Sequence, residues 1–127
     1  MIDLLMVAFG GAIGTLGRRH VGAFVHTRAN ERLGLVEEFP FGTLAVNVAG
    51  SFVLGVSAEL ALEGRIPASA AIGIGAGLCG GLTTFSTVAV DLARLWSRRR
   101  FGRFALDLLA STLLPIAAAW TGRLLAT

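Results

Sequence analysis

Residues Gly73 to Asp91 read GIGAGLCGGLTTFSTVAVD, five glycines and then a run of hydroxyl side chains, with no charge before the final aspartate. The apolar run that contains them, Ile66 to Val90, is long enough to cross a hydrocarbon core of about 30 Å, which takes roughly 20 residues. A bilayer interior has no water to satisfy backbone groups, so a glycine-rich interruption at that depth is tolerated only where it is buried in protein or lines a wet cavity. Gly80-Gly81-Leu82-Thr83 therefore reads as an unwound joint between two half-helices. Its freed carbonyls can hold a small cation, and its amides and hydroxyls can face an anion.

The rest of the chain supports a membrane setting. With 127 residues, 54% of them hydrophobic, and a mean hydropathy of +0.74, the chain is one domain whose apolar fraction exceeds the globular range. Phe39 to Ala58 is a second uncharged run. Ile2 to Val25 is apolar apart from Asp3 and the Arg18, Arg19, His20 cluster, and Phe104 to Leu125 apart from Asp107 and Arg123. The expectation is an all-α membrane protein with four transmembrane helices over about 2–25, 39–62, 66–95 and 104–125, the third broken near Gly80–Thr83. The link Glu63 to Pro67 is so short that the second and third spans must be antiparallel neighbours. Residues 26–38 read as a polar connector.

The net charge of +3 comes from eleven arginines and no lysine. They cluster between the apolar runs, where juxtamembrane charge belongs, so nucleic acid is not the expected partner. Loops one and three carry Arg28, Arg32, Arg94, Arg98, Arg99, Arg100 and Arg103, against Arg65 and Arg123 on the other side. This bias predicts loops one and three in the cytoplasm and both termini outside. MIDLLMVAFGG lacks the basic start of a signal peptide. Cys79 reads as a small packing residue, and His20 and His26 have no partners at metal-ligand spacing. No catalytic constellation is present, and the chain is not expected to be an enzyme.

Polar positions recur along the spans. Gly10, Gly11, Gly14 and Gly17 let another backbone approach the first span closely. One of Arg18 and Arg19 snorkels to headgroups while the other points into a wet vestibule, and periodicity does not choose between them. Thr43, Asn47 and Ser51 share one face of the second span. Asn47 is either interhelical glue or a pore ligand, its amide offering two N–H donors. Asp107, Ser111 and Pro115 make a similar stripe on the fourth span, and Pro115 removes a helical hydrogen bond and kinks it.

Three strings, GGAIGTLGR (Gly10 to Arg18), FPFGTLAVNVAGSFVLG (Phe39 to Gly55) and GLCGGLTTFSTVAVD (Gly77 to Asp91), together resemble the CrcB/Fluc fluoride channel family. Length, number of spans and motif order agree with it across nearly the whole chain. The resemblance implies a passive fluoride channel of a bacterial inner membrane that lowers cellular fluoride, built as an antiparallel dimer with two pores. It implies a structural sodium ion at the dimer centre, held by the backbone carbonyls of Gly80 and Thr83 from each subunit. Asn47 matches the pore asparagine that donates to fluoride, Phe85 the first pore phenylalanine, Ser111 a pore-lining hydroxyl of the last span and Arg18 the vestibule arginine. Thr43 and Thr84 join as polar neighbours of the pore. A phenylalanine suits an anion because its ring edge is positive without being a trapping charge.

This sequence departs from the family pattern in three places. Val88 stands where a second pore phenylalanine is usual, Asp91 replaces a glutamate, and Pro115 replaces a small residue. An antiparallel homodimer also needs nearly balanced loops, which this chain lacks. The expected partner is therefore either a second copy or an oppositely oriented homologous subunit that supplies the missing ring. Two other functions compete. The chain can be a non-conducting partner subunit, or a small proton-coupled multidrug exporter. The latter requires a carboxylate deep in the membrane, whereas Asp3, Glu59, Asp91 and Asp107 fall near span ends.

Overall fold

A computed structural model describes residues 1–33 and 39–127. Helix α1 spans Ile2–Leu33, α2 Phe41–Leu62, α3 Ala68–Ile72, α4 Gly80–Leu82, α5 Phe85–Ser97 and α6 Phe101–Ala126. Gly73–Cys79, between α3 and α4, is a π-helical segment. The described residues are all helical or in short links, with no strand. Among them three stretches are long and apolar enough to cross a membrane, Phe41–Leu62, Ala68–Ser97 and Phe101–Ala126. Helix α1, which carries Arg18 and Arg19 in its middle, is not one of the three. It also runs past Val25 to Leu33, so the first part of the expected 26–38 connector is helix; residues 34–38 lie outside the described residues.

Local sequence explains where the helices stop. After α2, Gly64 takes a left-handed φ of 70°. Its N–H reaches Ala61 O at 3.1 Å and that of Arg65 reaches Leu60 O at 2.8 Å, the paired bonds that close a helix on glycine. After α5 the same pair recurs, Arg99 N to Trp96 O at 2.9 Å and Arg100 N to Leu95 O at 3.0 Å, with Arg99 at φ 55°. Trp96 then meets the edges of Phe101 and Phe104 at 5.1 and 5.4 Å between ring centroids, which folds α6 back against α5.

Packing is backbone against backbone. A Cβ on Gly14 of α1 would press on the Leu78 carbonyl and lie 2.8 Å from Leu82 N. One on Gly55 of α2 would press on the Ala119 carbonyl of α6. Helices α2 and α6 run in the same direction, tied at one end by Arg123 Nε to Glu59 Oε2 at 2.8 Å and Arg65 Nη1 to Ala126 O at 2.7 Å. Large apolar side chains such as Phe9, Leu16, Leu109 and Trp120 point outward, while Asn47, Ser57, Thr84 and Asp107 are buried. Such an inverted distribution suits a hydrocarbon solvent, where helices associate through small residues and polar contacts rather than by hiding apolar surface.

Candidate functional site

The break in the third stretch is the centre of the site. Its place differs from the sequence expectation by a few residues: Gly80–Leu82 keep a helical turn, and the backbone becomes extended at Thr83 (ψ 154°) and Thr84 (φ −148°, ψ 123°). Glycines alone do not unwind the chain here: Gly73, Gly75 and Gly77 lie in the π-helical segment, and Gly80 and Gly81 in the turn of α4. The extended pair is held from outside instead. Asn47 Nδ2 donates to Thr84 O at 3.1 Å, and Thr84 N donates to Asn47 Oδ1 at 2.7 Å. One buried amide thus replaces both helical partners of one residue, and one of its two N–H donors is spent in doing so.

Below the break, the carbonyls of α4 have no helix left to receive them. Arg18 of α1 takes them. Its Nε donates to Gly81 O at 2.9 Å and Leu82 O at 3.2 Å, and its Nη2 donates to Thr83 O at 2.8 Å, to Gly80 O at 3.5 Å and to Gly81 O. A guanidinium at the carbonyl end of a helix also complements its dipole. Above the break, Thr84 caps α5: its Oγ1 accepts from Thr87 N at 3.4 Å and lies 3.2 Å from Ser86 Oγ and 3.1 Å from Thr87 Oγ1.

Beside the break runs a groove of about 380 Å³, walled by Asn47, Ser51, Thr83, Thr84, Phe85, Val88, Ser111, Thr112 and Pro115 among others. Among the described residues its polar side chains are amide and hydroxyl, with no carboxylate and no basic group. Five of the six expected pore residues, Asn47, Thr84, Phe85, Val88 and Ser111, come together there. Thr43 does not. It lines two neighbouring cavities, one of about 310 Å³ with Arg18, His26 and Thr87, the other of about 410 Å³ with His26, Asp91, Arg94, Arg98 and Arg100. Phe85 is 82% exposed at the groove's rim, whereas Val88 is packed inside.

The residues expected to hold a cation can be tested on their own geometry. The Gly80 and Thr83 carbonyls both reach a single cationic nitrogen, Arg18 Nη2. Two neutral oxygens turned toward one positive point are the donors a small hard cation takes, and each carbonyl retains a second lone pair. The oxygens are of the kind a small hard cation takes, and Arg18 already holds the point on which they converge.

A model of the family described as CrcB-like protein, Camphor Resistance (CrcB), matches residues 5–123. The chain belongs to the CrcB-like family. This CrcB-like chain is 37% identical over 123 residues to the fluoride-specific ion channel FluC of Geobacter metallireducens, covering 96% of this chain and 94% of the relative. It is 40% identical over 124 residues to that of Agrobacterium fabrum, again 96% and 94%. The Chelativorans channel of the same name is 41% identical over 127 residues, 99% of this chain and 97% of the relative. Two features of the CrcB-like chain went unread in its sequence. Arg18 lies on the carbonyls at the break, a contact beside the vestibule role that the resemblance implies, and Asp107, read only as part of a polar stripe with Ser111, is fully enclosed. The only signal for the first was an arginine in an otherwise apolar span, with Arg19 beside it to blur the choice.

Proposed function

We infer that this CrcB-like chain is a subunit of a passive fluoride channel in the bacterial cytoplasmic membrane. Weakly acidic HF enters cells, dissociates at cytoplasmic pH, and the trapped anion leaves through the groove, which lowers cellular fluoride. The observation that carries this reading is the groove itself: an amide and several hydroxyls, the amino end of α5 and an aromatic rim, without a full charge of either sign. Hydrogen-bond donors and dipoles of that kind favour an anion while leaving it weakly enough held to move on. Asn47 offers its second N–H, Phe85 a ring edge, Thr84 and Ser111 hydroxyl walls, and Thr43 and Arg18 the approach from the neighbouring cavities.

In this reading α1 is the first of four spans, and the groove, open along one side with Phe85 on its rim, is closed by an antiparallel partner to give two pores. The Gly80 and Thr83 carbonyls of two facing subunits would hold the central Na+, a structural cation that fixes the two breaks against each other. Outward apolar side chains face lipid, and the arginine asymmetry favours an orientation with both termini outside. Fluoride efflux from liposomes holding this chain, measured against chloride, tests the assignment; an absence of fluoride flux both from the chain alone and from the chain with its partner sinks it.

A second reading is favoured by Val88. An aliphatic side chain buried at a position where an aromatic ring edge is expected gives the anion nothing polar to meet. The chain then acts as the partner subunit of a heterodimer whose other member supplies the ring. Flux that appears only when the two are reconstituted together identifies that case. A proton-coupled drug exporter is disfavoured because the described groove has no carboxylate to exchange protons for a cation.

A further inference from the structure

Asp107 is completely enclosed, 0% exposed, on α6 one turn before Ser111. Its Oδ1 accepts the Ser111 hydroxyl at 3.0 Å, and its Oδ2 has no hydrogen-bond partner among the described residues. A buried carboxylate with one oxygen unsatisfied is costly, and native proteins keep such groups for a reason. The channel reading makes no use of it.

Ser111 links this carboxylate to the groove. A serine hydroxyl has one proton. That proton is committed to Asp107, so the Ser111 oxygen turns only lone pairs toward the groove it lines. A wall that should stabilise an anion thus presents an acceptor with a carboxylate behind it. Among the described residues the neighbouring charge contacts do not relieve this. From α5, Asp91 acts on Asp107 as a like charge; Asp91 is itself 3.8 Å from Arg94 and feels His26 of α1. On α2, the register that seats Ala119 on Gly55 and Arg123 on Glu59 puts the uncharged Thr43 level with Asp107. Arg103, one turn earlier on α6, is itself engaged in an interaction.

Resting on the channel reading, we propose that Asp107 is a positioning residue that throttles the groove: it draws the Ser111 proton away from a passing anion and keeps a negative charge one side chain behind the wall. Neutralising Asp107 frees Ser111 to donate, because an amide or a protonated carboxyl at that place can itself donate to Ser111 Oγ. Fluoride throughput then rises.

The test is fluoride efflux from liposomes holding the full-length chain, with its partner subunit if flux requires one, as wild type, Asp107→Asn and Asp107→Ser. It is run from mildly alkaline to mildly acidic pH, with protein-free liposomes reporting the leak of neutral HF at each pH. At alkaline pH both neutral variants are expected to exceed wild type by about tenfold, the scale of one unfavourable charge a few ångströms from the path at a partly wetted wall. Where acid protonates Asp107, wild type climbs toward the variants while their own profiles stay flat. Throughput and pH profiles in both variants that match wild type, or lower throughput in both, overturn the role of Asp107 and leave the channel reading standing. No fluoride flux in the wild type under any reconstitution overturns the channel reading, and the role of Asp107 with it.

Discussion

The two halves of the broken stretch meet the joint with opposite ends. The first half, Ala68–Leu82, is glycine-rich, partly π-helical, and arrives with its carbonyls exposed. The second, Phe85–Ser97, is strongly amphipathic and leaves with its amides capped by a threonine. A cationic side chain from α1 satisfies the first end, and a neutral amide from α2 bridges the residue between them. One backbone break therefore sets a negative pole and a positive pole within a few residues, each met by a side chain of the same chain.

The contrast breaks most severely at Arg18. Arg18→Ala leaves the α4 carbonyls without donors, and at about 1.5–3 kcal/mol for a charged hydrogen bond and about 1–3 kcal/mol for an orphaned buried group, a loss of about 3–5 kcal/mol in detergent unfolding is expected. Arg18→Lys should recover only part of it, since one ammonium cannot fork across several carbonyls. An unchanged unfolding midpoint in Arg18→Ala would show that the first half needs no cap.

Next is the bridge. Asn47→Asp keeps the acceptor for Thr84 N but removes the donor to Thr84 O and adds a charge beside the groove. We expect about 2–3 kcal/mol of destabilisation and a fall in fluoride flux of about a hundredfold or more. Near-normal flux would take Asn47 out of the pore and leave it as interhelical glue. Thr84→Val tests the second half alone: loss of an N-cap costs about 1 kcal/mol, with Thr87 and Ser86 losing a shared partner. Hydrogen exchange should rise in the first turn of α5 and stay unchanged in α4; equal change in both would mean that the halves are not independent.

The smallest effect is expected far from the joint. Arg123→Gln breaks the partly exposed contact to Glu59 at the far ends of α2 and α6 and should cost less than about 1 kcal/mol. A larger loss would place the weight of the fold in that pair of helices rather than in the break.

The long uncharged runs and the hydroxyl-rich break were legible in the sequence because hydrocarbon tolerates few alternatives to a helix. Asn47, Thr84, Phe85, Val88 and Ser111 were legible as a set through their motifs, and the chain brings them to one groove. Other features were not. The break moved from the glycines to Thr83 and Thr84 because its position is fixed by Asn47, 37 residues away, and no local propensity encodes that bond. Thr43 shares a helix face with Asn47 one turn away, yet it opens into the neighbouring cavities, since an i, i+4 pair fixes azimuth and leaves depth free. The choice of Arg18 over Arg19 depends on which azimuth of α1 meets the third stretch, and the backbone contacts at Gly14 decide it only in three dimensions.

The π-helical segment Gly73–Cys79 acts as a spacer of a kind that residue counting overlooks. A widened turn holds more residues than an α-turn of the same rise, so the segment behaves like an insertion carried inside an unbroken helix. Removing a single residue from it would let the turn tighten to the ordinary pitch and absorb the loss, whereas the same deletion in a regular α-turn would swing everything downstream by about 100° around the axis. The carbonyls of α4 would still face Arg18, and Thr84 would still face Asn47, so this is the one place where the third stretch can lose a residue and keep its joint.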